Sequence, residues 1–339
     1  SGFDPERTAF VLFHAGVGRD FELVGTTLDK TPQDLPSLFF DQSALERLLG
    51  PVSLSFGGVP VRHTMIVPRT ETRRGFDFIQ DEPFLLELSI NGMLAANFFS
   101  YLGVPDLFDA ETGESAIGPF GLMDPLGISA YYGLFPPEPM AWTKYYLGWE
   151  TMQDVAGSTG PLSLSLAAAS LPGGSEVVRA AISDAEYFLV ENRHRDPEGD
   201  GLTLRVWQDG RVVEQHVAND DSTFNGFTIE GFTGGVVVGV DNYDWALPGG
   251  VDEDGVDLVG GILIWHVDER RLRAGFAANR VNADPERRAI DLEEADGAQD
   301  IGFPSGNPFG PDVHLGSPFD FYYEGNPVEV VTQFGQTLR

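Results

Sequence analysis

The chain has 339 residues, no cysteine, and 52 acidic against 21 basic residues, for a net charge of −31. Its length and 42% apolar content imply a folded protein with a large core and two packed lobes. The charge disfavours nucleic acid and anionic membranes as partners, the missing cysteines exclude disulfides and thiolate metal sites, and no run of about 18 apolar residues offers a membrane span. Residues 8–15 are an apolar run ending in Gly16-Val-Gly18, which reads as a buried strand leaving into a glycine loop. Residues 43–49, followed by Gly50-Pro51, read as a short helix with Ser43 as N-cap, and residues 61–68 as a strand. Leu86, Ile90, Met93, Leu94, Phe98 and Leu102 have helical spacing over 86–102, and Gly103 and Pro105 stop that helix. Beyond Trp149 the pattern becomes mainly β. Strands are expected at 162–167, 186–191, 202–207, 236–240 and 261–267, with a hairpin turn at Gln208–Arg211. Ser1–Pro5 has no signal-peptide pattern, so a mature product or an excised domain is expected.

The helix over 86–103 carries an informative gap. A metzincin-type zinc helix reads H-E-x-x-H-x-x-G-x-x-H, or Asp in the last place, with a Met-turn further on. Here Gly103 and Asp106 stand where the last Gly and the third ligand belong. Ala96, Asn97 and Ser100 stand in place of His, Glu and His. A methyl group cannot ligate zinc, an amide is no general base, and a hydroxyl is a poor zinc ligand. None of the six histidines forms an i,i+4 pair with another, and Ser100 has no nucleophile-elbow context. Bound zinc and catalysis are therefore not expected.

Three acidic segments have the composition of hard-cation sites, which take several oxygen ligands on glycine-containing turns. They are Asp196, Glu198 and Asp200; Asp252, Asp254 and Asp257; and Glu294, Asp296 and Asp300. None has the EF-hand spacing, and each is also readable as an acidic hairpin turn.

Several stretches together resemble the M6 family of secreted metallopeptidases, the immune inhibitor A type. They are Phe10–Gly18, Leu102-Gly-Val-Pro-Asp-Leu-Phe-Asp109, Gly118–Asp124, and Pro139–Trp149 with its A-W-x-K-x-x-L-G-W pattern. Glu186–Arg193, Gly261–Asp268, and Val281–Asp284 with Asp291–Gly297 follow in the family's order. The resemblance implies an α+β fold, with a metzincin-like α/β lobe over 1–150 and a mainly β lobe over 151–339. It implies secretion to an extracellular or cell-surface location. It implies structural calcium around the Glu294–Asp300 loop. It places the Met-turn at Met123 and leaves Asp106 as a vestigial zinc-ligand position. Residues 196–241 lie between the family's E-N-R motif and its Y-D-x-x-L-P-G turn, here Tyr243–Gly249, and read as an insertion. The expectation is an acidic, calcium-binding pseudopeptidase with a structural, adhesive or partner-binding role, toward a protein or peptide partner or within a larger surface assembly. The alternative is an active metallopeptidase with a rearranged metal site.

Overall fold

The computed structural model describes residues 3–20, 34–51, 53–77, 79–155, 160–173, 177–218, 229, 231–251, 255–303, 315–326, 330–331 and 337–338. The fold is α+β, with short helices and several separate sheets. Its contacts divide the chain into two compact units. One holds Ser1–Val104 with Tyr132–Leu134, and the other holds Pro105–Tyr131 with Phe135–Arg339. The sequence pattern places its division near residue 150. Residues 105–131 belong to the second unit because their polar groups are held there. Asn282 Nδ2 donates to the Leu107 carbonyl at 3.3 Å, and the Tyr131 hydroxyl donates to the Trp245 carbonyl at 3.0 Å.

In the first unit, β1 (Ala9–Val17) is followed by β2 (Leu38–Asp41) and α1 (Gln42–Leu49). A two-residue ladder of β3 (Ser55–Phe56) and β4 (Val59–Pro60) leads to β5 (His63–Thr70). The hairpin of β6 (Arg73–Asp77) and β7 (Glu82–Leu86) precedes α2 (Asn91–Tyr101). β5 is central in its sheet, parallel to β1 with Ala9 opposite His63, and antiparallel to β2. A central strand should be covered on both faces: Met65 and Val67 of β5 are fully buried on one, and Thr64 and Pro68 are buried on the other. The His63 ring lies edge-on to Tyr101 of α2, with centroids 5.2 Å apart.

Two sequence expectations shift here. The N-cap of α1 is Asp41 rather than Ser43, because the Asp41 carboxylate accepts from Ala44 N at 2.7 Å. The helix expected from residue 86 begins at Asn91, because Leu86 is taken into the hairpin ladder opposite Arg73.

In the second unit come the one-turn helices α3 (Pro125–Ile128) and α4 (Ala130–Gly133), the latter containing the division, and then α5 (Ala141–Tyr146). The main sheet contains β8 (Met152–Asp154), β9 (Val177–Ala181) and β10 (Glu186–His194). A smaller sheet follows, of β11 (Leu202–Gln208), β12 (Arg211–Val217) and β13 (Val236–Val240). After the short pair β14 (Gly250–Val251) and β15 (Asp257–Leu258) come β16 (Gly260–Asp268), α6 (Glu269–Phe276) and β17 (Ile290–Leu292). The two-residue strands β18 (Val330–Val331) and β19 (Thr337–Leu338) pair with each other. The five-stranded sheet runs β17-β16-β10-β9-β8, antiparallel except for β8 with β9.

The inner face of β10 buries Tyr187, Leu189, Glu191 and Arg193. Its two charged residues are fully partnered. Arg193 donates to both Asp244 oxygens, at 2.8 and 2.5 Å, and to the Glu138 carbonyl at 3.0 Å. Glu191 accepts from Trp265 Nε1 at 2.8 Å and from Ala141 N at 3.1 Å. The E-N-R stretch and the Tyr243–Gly249 turn are thus two halves of one buried ion-pair network.

Residues 202–217 form the hairpin expected of the inserted segment. Asp209 and Gly210 take positive φ values of 52° and 82°, which a two-residue hairpin turn of matching twist requires. The strand expected at 162–167 is absent. Its alternation has no buried face behind it, and the segment is held instead by Asn192 Nδ2 donating to the Leu166 carbonyl at 2.9 Å. Among the described residues no helix is long and apolar enough to cross a membrane.

Candidate metal centre

The zinc-helix positions lie on α2 in the first unit. Ala96 and Asn97 are buried and Ser100 is half-buried. The Asn97 amide donates to the Met93 carbonyl at 2.9 Å, and the Ser100 hydroxyl donates to the Ala96 carbonyl at 3.2 Å. Both polar side chains therefore bond back to the carbonyls of their own helix. α2 ends as the sequence suggests. Gly103 has φ 90°, and Val104 N donates to the Phe99 carbonyl at 3.0 Å, satisfying carbonyls of the last turn. With a methyl, an amide and a helix-bonded hydroxyl at the three positions, α2 does not fit a catalytic zinc.

Asp106 and Met123 lie in the second unit. The Asp106 carboxylate accepts from Asn279 Nδ2 at 2.6 Å, while its own backbone N–H donates to Asn279 Oδ1 at 2.8 Å. Burial pushes the Asp106 carboxyl up, against the hydrogen bond from Asn279 that favours its charged form. Met123 is buried in the core, and its carbonyl accepts from Leu107 N at 2.9 Å. The next residue, Asp124, is fully buried. It gathers Ser115 Oγ and the backbone N–H groups of Ala116, Ile117 and Leu126 around one carboxylate.

A different set of carboxylates converges just after β17. That strand pairs with β16, Leu292 opposite Trp265, and Glu293 N donates to the Ile264 carbonyl. The chain then turns through Glu294–Gly297. Glu294 Oε2 accepts from Asp300 N at 2.9 Å, and its Oε1 accepts from Ile301 N at 3.1 Å. Asp320 comes from a 3-10 turn over Pro318–Asp320. Ser317 caps that turn, and Ser317 N donates to Asp320 Oδ2 at 2.6 Å. Ala295 N donates to the Asp320 carbonyl at 3.2 Å and joins the two segments.

The result is a trio of Glu294, Asp296 and Asp320 with one oxygen from each within 4.8 Å of the others. Glu294 and Asp320 are buried and Asp296 is half-buried. Calcium takes oxygen ligands at about 2.3–2.6 Å, so its ligands lie up to about 5 Å apart across the ion. The trio fits that requirement and offers only hard donors. Burial first, and then the nearby charges of Asp320 and Asp300, push Glu294 up to about 8. Asp320 rises to about 7 by burial, helped by Asp296 and Asp300. Glu294 and Asp320, two buried acids that resist ionisation, would be stabilised as carboxylates by a dication held with Asp296.

Of the three residues expected in this loop, Glu294 and Asp296 enter the trio. Asp300 contributes its backbone N–H and its charge, and the third converging carboxylate is Asp320. Asp320 has one local signal, the Ser317-x-x-Asp320 capping pattern, which marks a turn rather than a ligand. The Asp196 carboxylate accepts from Asp200 N and Gly201 N, each at 3.2 Å, and so closes its own turn, while Glu198 and Asp200 are exposed. Asp257 is an exposed residue of β15, and Asp252 and Asp254 lie outside the described residues. Among the described residues no other group of three acids or histidines converges in this way. Comparison with protein-family models, with curated proteins and with solved structures finds no match.

Proposed function

We propose that the chain is a secreted, M6-like domain of the immune inhibitor A type that has lost peptidase chemistry and holds calcium as a structural ion. Its role is extracellular and non-catalytic: structural, adhesive or partner-binding, toward a protein or peptide or within a surface assembly. The reading includes a metzincin-like arrangement for the N-terminal lobe, and it rests on the order of the sequence stretches quoted above. The observation that carries the loss of catalysis is on α2, where Ala96, Asn97 and Ser100 replace the zinc ligands and base and the two polar side chains bond to their own helix. A catalytic zinc needs about three protein ligands and an open position. Asp106, the remaining candidate, is engaged by Asn279. The calcium assignment is supported by the convergence of Glu294, Asp296 and Asp320.

The test is an assay of the purified chain against an unstructured protein substrate, with zinc and calcium supplied separately. No cleavage is expected in either condition. Zinc-dependent cleavage that survives Asp106→Ala would point to a rearranged metal site elsewhere and overturn the reading.

A further inference from the structure

Glu71 sits between β5 and β6 and is fully buried, yet neither carboxyl oxygen meets a hydrogen-bond donor among the described residues. Its carboxyl is instead in hydrogen-bond contact with another acid, Asp20, just after β1. Two carboxylates cannot hydrogen-bond unless one carries a proton. The neighbours decide which one does. Both Asp20 oxygens accept from Ser37 N, at 2.8 and 2.9 Å, so Asp20 is placed as the acceptor. Among the described residues the cation acting on Glu71 is Arg73 of β6, and two of its nitrogens are engaged by other groups. Its Nη1 donates to Asp34 Oδ2 at 3.2 Å and its Nη2 to the Gly18 carbonyl.

We propose that Glu71 is a neutral acid that donates its proton to Asp20, and that this shared proton forms an alkali-released clasp between the end of β1 and the turn joining β5 to β6. The backbone is shaped around it. Gly18 N donates to the Thr70 carbonyl at 2.9 Å, and a Cβ built on Gly18 would lie 1.4 Å from Glu71 Oε1. Glycine is therefore needed at this position to leave room for the acid. The charged groups facing Glu71 are Asp20 after β1, Asp34 before β2 and Arg73 on β6. Burial first, and then the two aspartates, hold the Glu71 carboxyl at about 9, against the opposing pull of Arg73. Once the proton leaves, two carboxylates face each other with no proton between them, and the contact becomes repulsive.

Infrared spectroscopy of the whole chain tests this without any assay of function. With calcium present to hold Glu294 and Asp320 as carboxylates, the carbonyl stretch of a buried protonated carboxyl is expected at neutral pH in the difference between wild type and Glu71→Gln. It should disappear on titration above about pH 9 and be missing from Glu71→Gln. That variant should fold, because the Gln amide supplies Asp20 with the same donor. Gly18→Ala should lose the signal while keeping Glu71, because the acid is displaced. Absence of the band in folded wild type at neutral pH overturns the proposal. So does a Glu71-dependent band, absent from Glu71→Gln, that calcium abolishes and a chelator restores, since a cation would then be the partner of the two acids.

Discussion

The Asp106 carboxylate and the Asn279 side chain hold each other through two hydrogen bonds, 2.6 Å from the Asn279 amide to Asp106 Oδ2 and 2.8 Å from Asp106 N to Asn279 Oδ1. A residue that stands in the third zinc-ligand place of the M6-like pattern is, in this chain, one half of a loop-to-loop clamp. Asn279 has φ 53°, a left-handed conformation that asparagine tolerates better than most residues. The clean deletion is therefore Asn279→Gly, which keeps the backbone and removes the amide. It should lower stability by about 1 kcal/mol, because the half-buried carboxylate loses a charge-assisted donor. Urea denaturation of the variant and wild type measures this.

The buried pair of Arg193 and Asp244 should be far less tolerant. Both side chains are fully shielded from solvent, and Arg193 donates to Asp244 through two nitrogens. Asp244→Ala leaves a guanidinium buried with only part of its partner set, which costs about 3–5 kcal/mol. The same denaturation experiment should show a much larger shift than for Asn279→Gly.

Calcium should stabilise the chain through Glu294, Asp296 and Asp320. A ligand at about 100 times its dissociation constant adds about 2.7 kcal/mol to a fold that alone binds it. The melting temperature should rise with added calcium and fall with a chelator in wild type. Asp320→Asn should remove most of that response while leaving the capped turn able to form. An Asp320→Asn response equal to wild type would show that the ion is held elsewhere.

Stability should also depend on pH through Glu71. Its folded-state value of about 9 stands above its ordinary 4.5, so the folded chain binds more protons than the unfolded chain between the two. The stabilisation from this proton is fully present below about pH 4.5 and is lost as pH rises toward about 9. The stability of wild type relative to Glu71→Gln should fall by up to about 1.4 kcal/mol per pH unit across that window. Denaturation curves of both proteins across the window measure the difference.

α2 offers a gain-of-function prediction. Ala96→His, Asn97→Glu and Ser100→His together return the missing ligands and base to α2, with the two histidines at i and i+4 on one face. On the M6-like reading the triple variant should bind zinc. Isothermal titration of the folded triple variant measures this, and no zinc uptake would contradict the alignment of α2 with the family's zinc helix.

Local pattern made much of this chain legible. β5, β10, β11 and β16 follow apolar runs or alternation, and the Gly103 stop and the Asp209–Gly210 turn follow from backbone chemistry; β1 is a strand as expected, but it runs on through Gly16 to Val17 and exposes Leu12 and Phe13, so its apolar run marks strand without marking burial. Pattern misled where no tertiary surface supported it. Residues 162–167 alternate without a buried face, and Leu86 belongs to a hairpin although its spacing suits α2. The candidate site was half legible. Glu294 and Asp296 stand out in an acidic glycine loop, but Asp320 reaches them only through the fold. Asn279, which engages Asp106, and Glu71, which faces Asp20, had no local signal, because each matters through a partner distant in sequence.

The most direct test of the whole account is elemental analysis of the natively purified chain after exchange into buffer containing both calcium and zinc at equal, low concentration. The account predicts retained calcium that Asp320→Asn loses, and no stoichiometric zinc. Zinc retained at about one ion per chain, and lost with Asp106→Ala, would mean that a working zinc site persists at Asp106 and would contradict it.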